Sequence, residues 1–143
     1  MKFQIRLLVG FALLALLGAT LPAFAHHAFS AEFDGDKPIT VKGVVTKLEL
    51  TNPHSWLYLD VTGPDGKVSN WGFEFGAPFS LKEKGVTKKT FPPGTEITVS
   101  GFRAKNGKEF GYAVTTTLSD GRSFKTGGAE DAPTVVPAQA AAK

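Results

Sequence analysis

The strongest constraint on this chain is an uninterrupted period of two. From Ser55 to Val61, Leu57, Leu59 and Val61 alternate with Trp56, Tyr58 and Asp60. Only an extended strand puts successive side chains on opposite faces, so this run predicts a strand buried on one side. The same reading extends along the chain. Ile39 to Leu50 is rich in β-branched residues and predicts a long first strand. Its phase changes midway: Val41, Gly43 and Val45 share one face, Leu48 and Leu50 the other. Gly43 and the Val44-Val45 pair therefore suggest a bulge. Thr51-Asn52-Pro53-His54 ends that strand, because the residue before a proline avoids helical geometry.

Gly63-Pro64-Asp65-Gly66 has the chemistry of a turn. Val68 to Phe75 is the third strand, with Trp71, Phe73 and Phe75 on one face. Pro78 to Lys84 predicts a short helix stopped by Gly85. Glu96 to Arg103 is a fourth strand, Asn106-Gly107 a hairpin signal, and Gly111 to Leu118 a fifth strand. Asp120-Gly121 then turns the chain towards Ser123-Phe124-Lys125. Residues 127–143 are Gly-, Ala- and Pro-rich and are expected to form a disordered tail. Three strands, one short helix and two strands is the element order of an OB-like barrel. The expected fold class is thus all-β: a small five-stranded OB-like barrel over residues 39–126, preceded by an arm at 26–38. A small sandwich is the structural alternative.

The first 25 residues read as a secretory signal. Lys2 and Arg6 form a positive start, Leu7 to Leu17 an apolar stretch, and Ala23-Phe24-Ala25 a small-x-small cleavage pattern. Cleavage after Ala25 predicts a periplasmic protein with no stable membrane insertion. It also leaves 118 of the 143 residues, enough for one domain. The charge argument changes with it. The precursor carries +3, but the mature chain has 14 basic and 13 acidic residues. Glu83, Glu96 and Glu109 interleave with the lysines of the second half. The reading is a solvated surface, with no nucleic acid as partner. There is no cysteine, so no disulfide supports the fold even where export would permit one. The only methionine is Met1, so no soft sulfur ligand survives cleavage.

Several segments carry a resemblance. They are His26-His27-Ala28-Phe29, Val41-Lys42-Gly43-Val44-Val45-Thr46-Lys47, Thr51-Asn52-Pro53-His54-Ser55-Trp56, Asp65-Gly66-Lys67 and Gly101-Phe102-Arg103-Ala104-Lys105. From about His26 to Phe124 the chain resembles a family of short exported bacterial proteins with a domain of unknown function. Its layout also looks like the periplasmic bacterial OB-fold group. The resemblance implies export and an OB-like barrel, and supplies no activity.

Two constellations carry chemistry. The first is histidine, of which the chain has three. With cleavage after Ala25, His26 would offer both an α-amine and an imidazole, and His27 a second ring. His54, in the loop between the first two strands, is the only third imidazole. Neutral imidazole suits Cu(II) and Zn(II), so His26, His27 and His54 are the candidate metal ligands. An arm of about eleven extended residues spans roughly 36 Å, enough to reach His54. The plainer role for His54 is to cap its turn.

The second constellation is the outward pair Trp56 and Tyr58 on the second strand, a face on which OB-folds bind ligands. These residues could hold a protein, peptide or glycan. Alternatively, Phe29 and Phe33 of the arm fold over them as a second small core. No Gly-x-Ser-x-Gly elbow and no Gly-rich phosphate loop is present. The expected function is a non-enzymatic envelope binding or accessory protein using Cu(II) or Zn(II). An aromatic-face binding module is the second reading and a copper-dependent oxidoreductase the third.

Overall fold

The computed structural model describes residues 29–129 and 131–133. Its elements are α1 (Phe29–Glu32), β1 (Phe33–Glu49), β2 (Ser55–Thr62), β3 (Val68–Phe75), α2 (Pro78–Glu83), β4 (Glu96–Ala104), β5 (Phe110–Leu118) and β6 (Ser123–Lys125). The strands lie in the order β3-β2-β1-β4-β5-β6. A parallel pairing of β3 with β5 then joins the two sides, through Gly72↔Phe110, Phe73↔Gly111 and Glu74↔Tyr112. Strands β1, β2, β3, β5 and β4 thus form a closed, barrel-like ring with OB-type connectivity, and β6 adds to the outside of β5.

The 17-residue β1 makes closure possible because it pairs on both sides. Pro38 to Val44 pair with β4, and Val44 to Glu49 with β2, so the strand changes partner at Val44. The bulge suggested by the phase change falls between Val45 and Lys47, just beyond the expected position. Thr46 is the extra residue. It shifts the pleat by one, so Ile39, Val41 and Val45 before it and Leu48 and Leu50 after it all join one core. Asn70 pins the bend: its side-chain amide donates to the Thr46 hydroxyl at 3.3 Å and to Asp60 Oδ1 at 2.8 Å. Gly101 is fixed by proximity, since a Cβ there would run into the Tyr112 carbonyl oxygen.

The ring is filled by Leu57, Leu59, Phe73, Phe75, Ile97, Val99 and Ala113. Helix α2 closes one end. Pro78 is compatible with its first turn, Leu81 points into the core, and Gly85 ends it at φ +81°. Phe91 follows, edge-on to Phe75 and Phe124.

Four expectations are corrected. Strand β1 begins at Phe33, so Phe33 to Pro38 belong to the sheet. The arm contains a helical turn, α1, giving two short helices among the described residues where one was expected. The Ser123–Lys125 segment pairs as a sixth strand, because Thr115 to Thr117 offer it an open edge. Residues 127–129 are attached rather than loose: the Gly128 and Ala129 N–H groups donate to the Tyr112 hydroxyl at 2.8 and 2.6 Å. Small residues are needed there, since a Cβ on Gly128 would come within 2.6 Å of the Gly76 Cα.

Candidate functional site

Strand alternation brings two distant residues together. On β3, Phe73 and Phe75 face the core, so Glu74 must face outward. There it lies in one row with Trp56 of β2 and Tyr112 of β5. His54 stands at the entry to β2, with its carbonyl accepting from the Thr51 hydroxyl at 3.0 Å. That places its ring against Glu74, and His54 Nδ1 lies 2.7 Å from Glu74 Oε1.

This outward row is not on open surface. Phe29 is buried edge-on against Phe102 and Tyr112, with ring centres 5.2 Å apart in each case. Phe33 packs on Phe110 and Tyr112. Phe29, Phe33, Phe102, Ala104 and Tyr112 form a second core outside the ring. Glu74, in the same row as Tyr112, is only 8% exposed. Burial first, and then the neighbouring charge of Glu32, push its carboxyl up to about 7. The hydrogen bond from His54 acts in the opposite direction, because a donor on Nδ1 favours the carboxylate anion. Burial also raises the Tyr112 phenol, against the two backbone N–H groups that donate to it.

The second small core expected around Phe29 and Phe33 exists, with a different wall. The two rings close on Phe102, Phe110 and Tyr112, and Trp56 joins through Phe110, its ring stacked 5.3 Å away. Tyr58 is half-buried, with the Lys47 ammonium 5.9 Å from its ring centre. His54 is described; His26 and His27 lie outside the described residues. Among the described residues no group of three His, Cys, Asp or Glu side chains is placed to hold a metal ion.

Sequence reasoning did not find Glu74 as the partner of His54, since twenty residues and a hairpin separate them. The second core left a readable signal. Phe102 and Ala104 are apolar on the face opposite Ile97 and Val99, and Tyr112 on the face opposite Ala113. Apolar residues on both faces of a strand mean that both faces are covered.

A family model for a family of unknown function, DUF6152, matches residues 14–113. The chain belongs to this family. The matched span includes Phe29 and Phe33 of the second core, His54, Glu74 and the start of β5. Searches of curated proteins and of solved structures return no significant match.

Proposed function

We propose that this chain is an exported, non-enzymatic accessory protein of the cell envelope that binds Cu(II) or Zn(II) through His26, His27 and His54. The observation that carries the reading is the 2.7 Å contact between His54 Nδ1 and the buried Glu74 carboxyl group. Metal-binding imidazoles commonly give their second nitrogen to a carboxylate, which fixes the tautomer and makes the ligating nitrogen more basic. With Nδ1 turned to Glu74, Nε2 is the atom a metal would take. The amine and ring of His26 and the ring of His27 would complete the donor set once the signal is removed. Docking of Phe29 supports the reading, since it anchors the arm beside the row that holds Glu74. The aromatic-face reading has less support, because the Trp56 ring is already stacked on Phe110.

The test is Cu(II) and Zn(II) titration by calorimetry on protein beginning at His26. Stoichiometric binding that weakens at least tenfold in His54→Ala is expected. Absence of tight binding, or equal binding by the variant, sinks the three-histidine site.

A further inference from the structure

In sequence, glutamates interleave with the lysines of the second half and suggest a neutral, solvated surface. The fold undoes part of that interleaving. Glu96 opens β4, and its carboxylate is taken by Lys42 of β1 at 2.8 Å. Glu109 lies beside β3, its carbonyl accepting from the Gly72 N–H at 3.1 Å. Residues 78–94, which run from α2 towards β4, keep Lys82, Lys84, Lys88 and Lys89 against the single carboxylate of Glu83. Lys84 is held back, its ammonium donating to the Gly127 carbonyl at 2.9 Å. Among the described residues no carboxylate lies within ion-pair distance of Lys82, Lys88 or Lys89.

This cap is braced. Leu81, Val86 and Phe91 are buried in the core. Between the last two, the Thr87 N–H donates to the Thr90 hydroxyl at 2.8 Å, and that hydroxyl donates to the Gly85 carbonyl at 3.3 Å. Lys88 and Lys89 stand exposed within that loop. One turn of α2 sets Phe79 beside Lys82, three residues apart on the helix surface. Phe79 is 74% exposed, and among the described residues it is the only exposed apolar ring. A lone exposed ring is ordinary, and so is a lone solvated lysine. A ring set among unpaired ammoniums has the composition of an interfacial anchor: the ring enters the boundary between headgroups and acyl chains, and the lysines stay with the phosphates.

We propose that the α2 cap is a peripheral docking surface for an anionic phospholipid bilayer, with Phe79 as its apolar anchor and Lys82, Lys88 and Lys89 as its headgroup contacts. Charge complementarity fixes the sign of the partner. The exposed ring favours a bilayer over a soluble polyanion, which satisfies the lysines but gives Phe79 no apolar phase to enter. No helix among the described residues is long and apolar enough to cross a membrane, so the attachment is at the surface. One ring and a few charges make it reversible and sensitive to salt. The surface does not depend on the metal-binding reading.

The test is co-sedimentation of protein beginning at His26, which lacks the apolar Leu7 to Leu17 stretch. One set of vesicles has equal parts phosphatidylglycerol and phosphatidylcholine; the other is phosphatidylcholine alone. Binding to the mixed vesicles only is expected, weakening as salt rises. It should fall about tenfold in Phe79→Ser and about fivefold in each of Lys82→Ala, Lys88→Ala and Lys89→Ala. Lys67→Ala and Val68→Ser, which alter exposed side chains elsewhere, should leave it unchanged. All six altered side chains are exposed, so thermal melts should match the parent. No binding, equal binding to both vesicles, or equal losses in Lys67→Ala and Lys88→Ala overturn the surface. Binding that heparin competes away and that Phe79→Ser leaves intact marks a soluble-polyanion site and overturns the bilayer assignment.

Discussion

Glu74 lies directly opposite Tyr112 in the short parallel pairing of β3 with β5, so the seam that closes the ring also carries the surface on which the arm docks. The two functions of that seam are chemically distinct. Its inward residue Phe73 fills the core; its outward residues are Glu74 and Tyr112, and the Tyr112 ring packs on Phe29 and Phe33. Perturbing the arm is therefore expected to reach His54 through Glu74 without opening the ring.

Phe29→Ala tests whether the docked arm belongs to the cooperative fold. The ring is 4% exposed and packs on three aromatic neighbours, Phe33, Phe102 and Tyr112. Removing a buried phenylalanine costs about 3–5 kcal/mol in a core. The lower half of that range is expected here, because the second core is small. Urea unfolding followed by circular dichroism reads the loss, and a change below about 1 kcal/mol would show that the arm is not part of the cooperative fold.

How much of this was legible beforehand divides along physical lines. The period of two in β2, the phase change in β1 and the turn residues at Asp65-Gly66 and Asn106-Gly107 are local signals, and the strands they imply are present. The Glu74–His54 pair is not local. It depends on the β2–β3 register, which sets Trp56 against Glu74 and so brings the residue before β2 to it, and no spacing in the chain encodes that register. The docked arm lay between these cases. Phe29 and Phe33 announced an apolar need, but the rings that meet it come from β4 and β5, far along the chain.

Gly101→Ala addresses the ring itself. The added methyl group meets the Tyr112 carbonyl within the β4–β5 ladder, where backbone cannot yield cheaply. The register irregularity between Ser100 and Gly101 sits at the same place, so the ladder is already bent there. A loss of more than about 3 kcal/mol, or failure to accumulate as soluble protein, is expected. Retention of the parent melting temperature would refute the close approach.

Tyr112→Phe keeps the ring in the second core and removes only the hydroxyl. The N–H groups of Gly128 and Ala129 then lose their acceptor. Leaving such donors unpaired costs about 1–3 kcal/mol when water cannot reach them, and less where it can. The expected outcome is faster hydrogen exchange at residues 128 and 129, with a loss of about 1 kcal/mol in global stability. Exchange as slow as in the parent would place the attachment of this segment elsewhere, for example in the bond from Lys84 Nζ to the Gly127 carbonyl.

Stability of the metal-free protein is expected to fall as pH rises from about 5 to 8. The Glu74 carboxyl is raised from 4.5 to about 7 in the folded chain, so the folded state holds a proton that the unfolded state has released. A raised value contributes stability that is complete below about 4.5 and is lost as pH passes through about 7. At about 1.36 kcal/mol per pH unit the loss is at most about 3 kcal/mol, and the hydrogen bond from His54 to the carboxylate reduces it. Glu74→Gln carries no titrating proton, so its stability difference from the parent should swing towards the variant as pH rises. Urea midpoints measured at pH 5 and pH 8 for both proteins give the answer. If the two proteins lose stability in parallel, burial of Glu74 is not the source of the pH dependence.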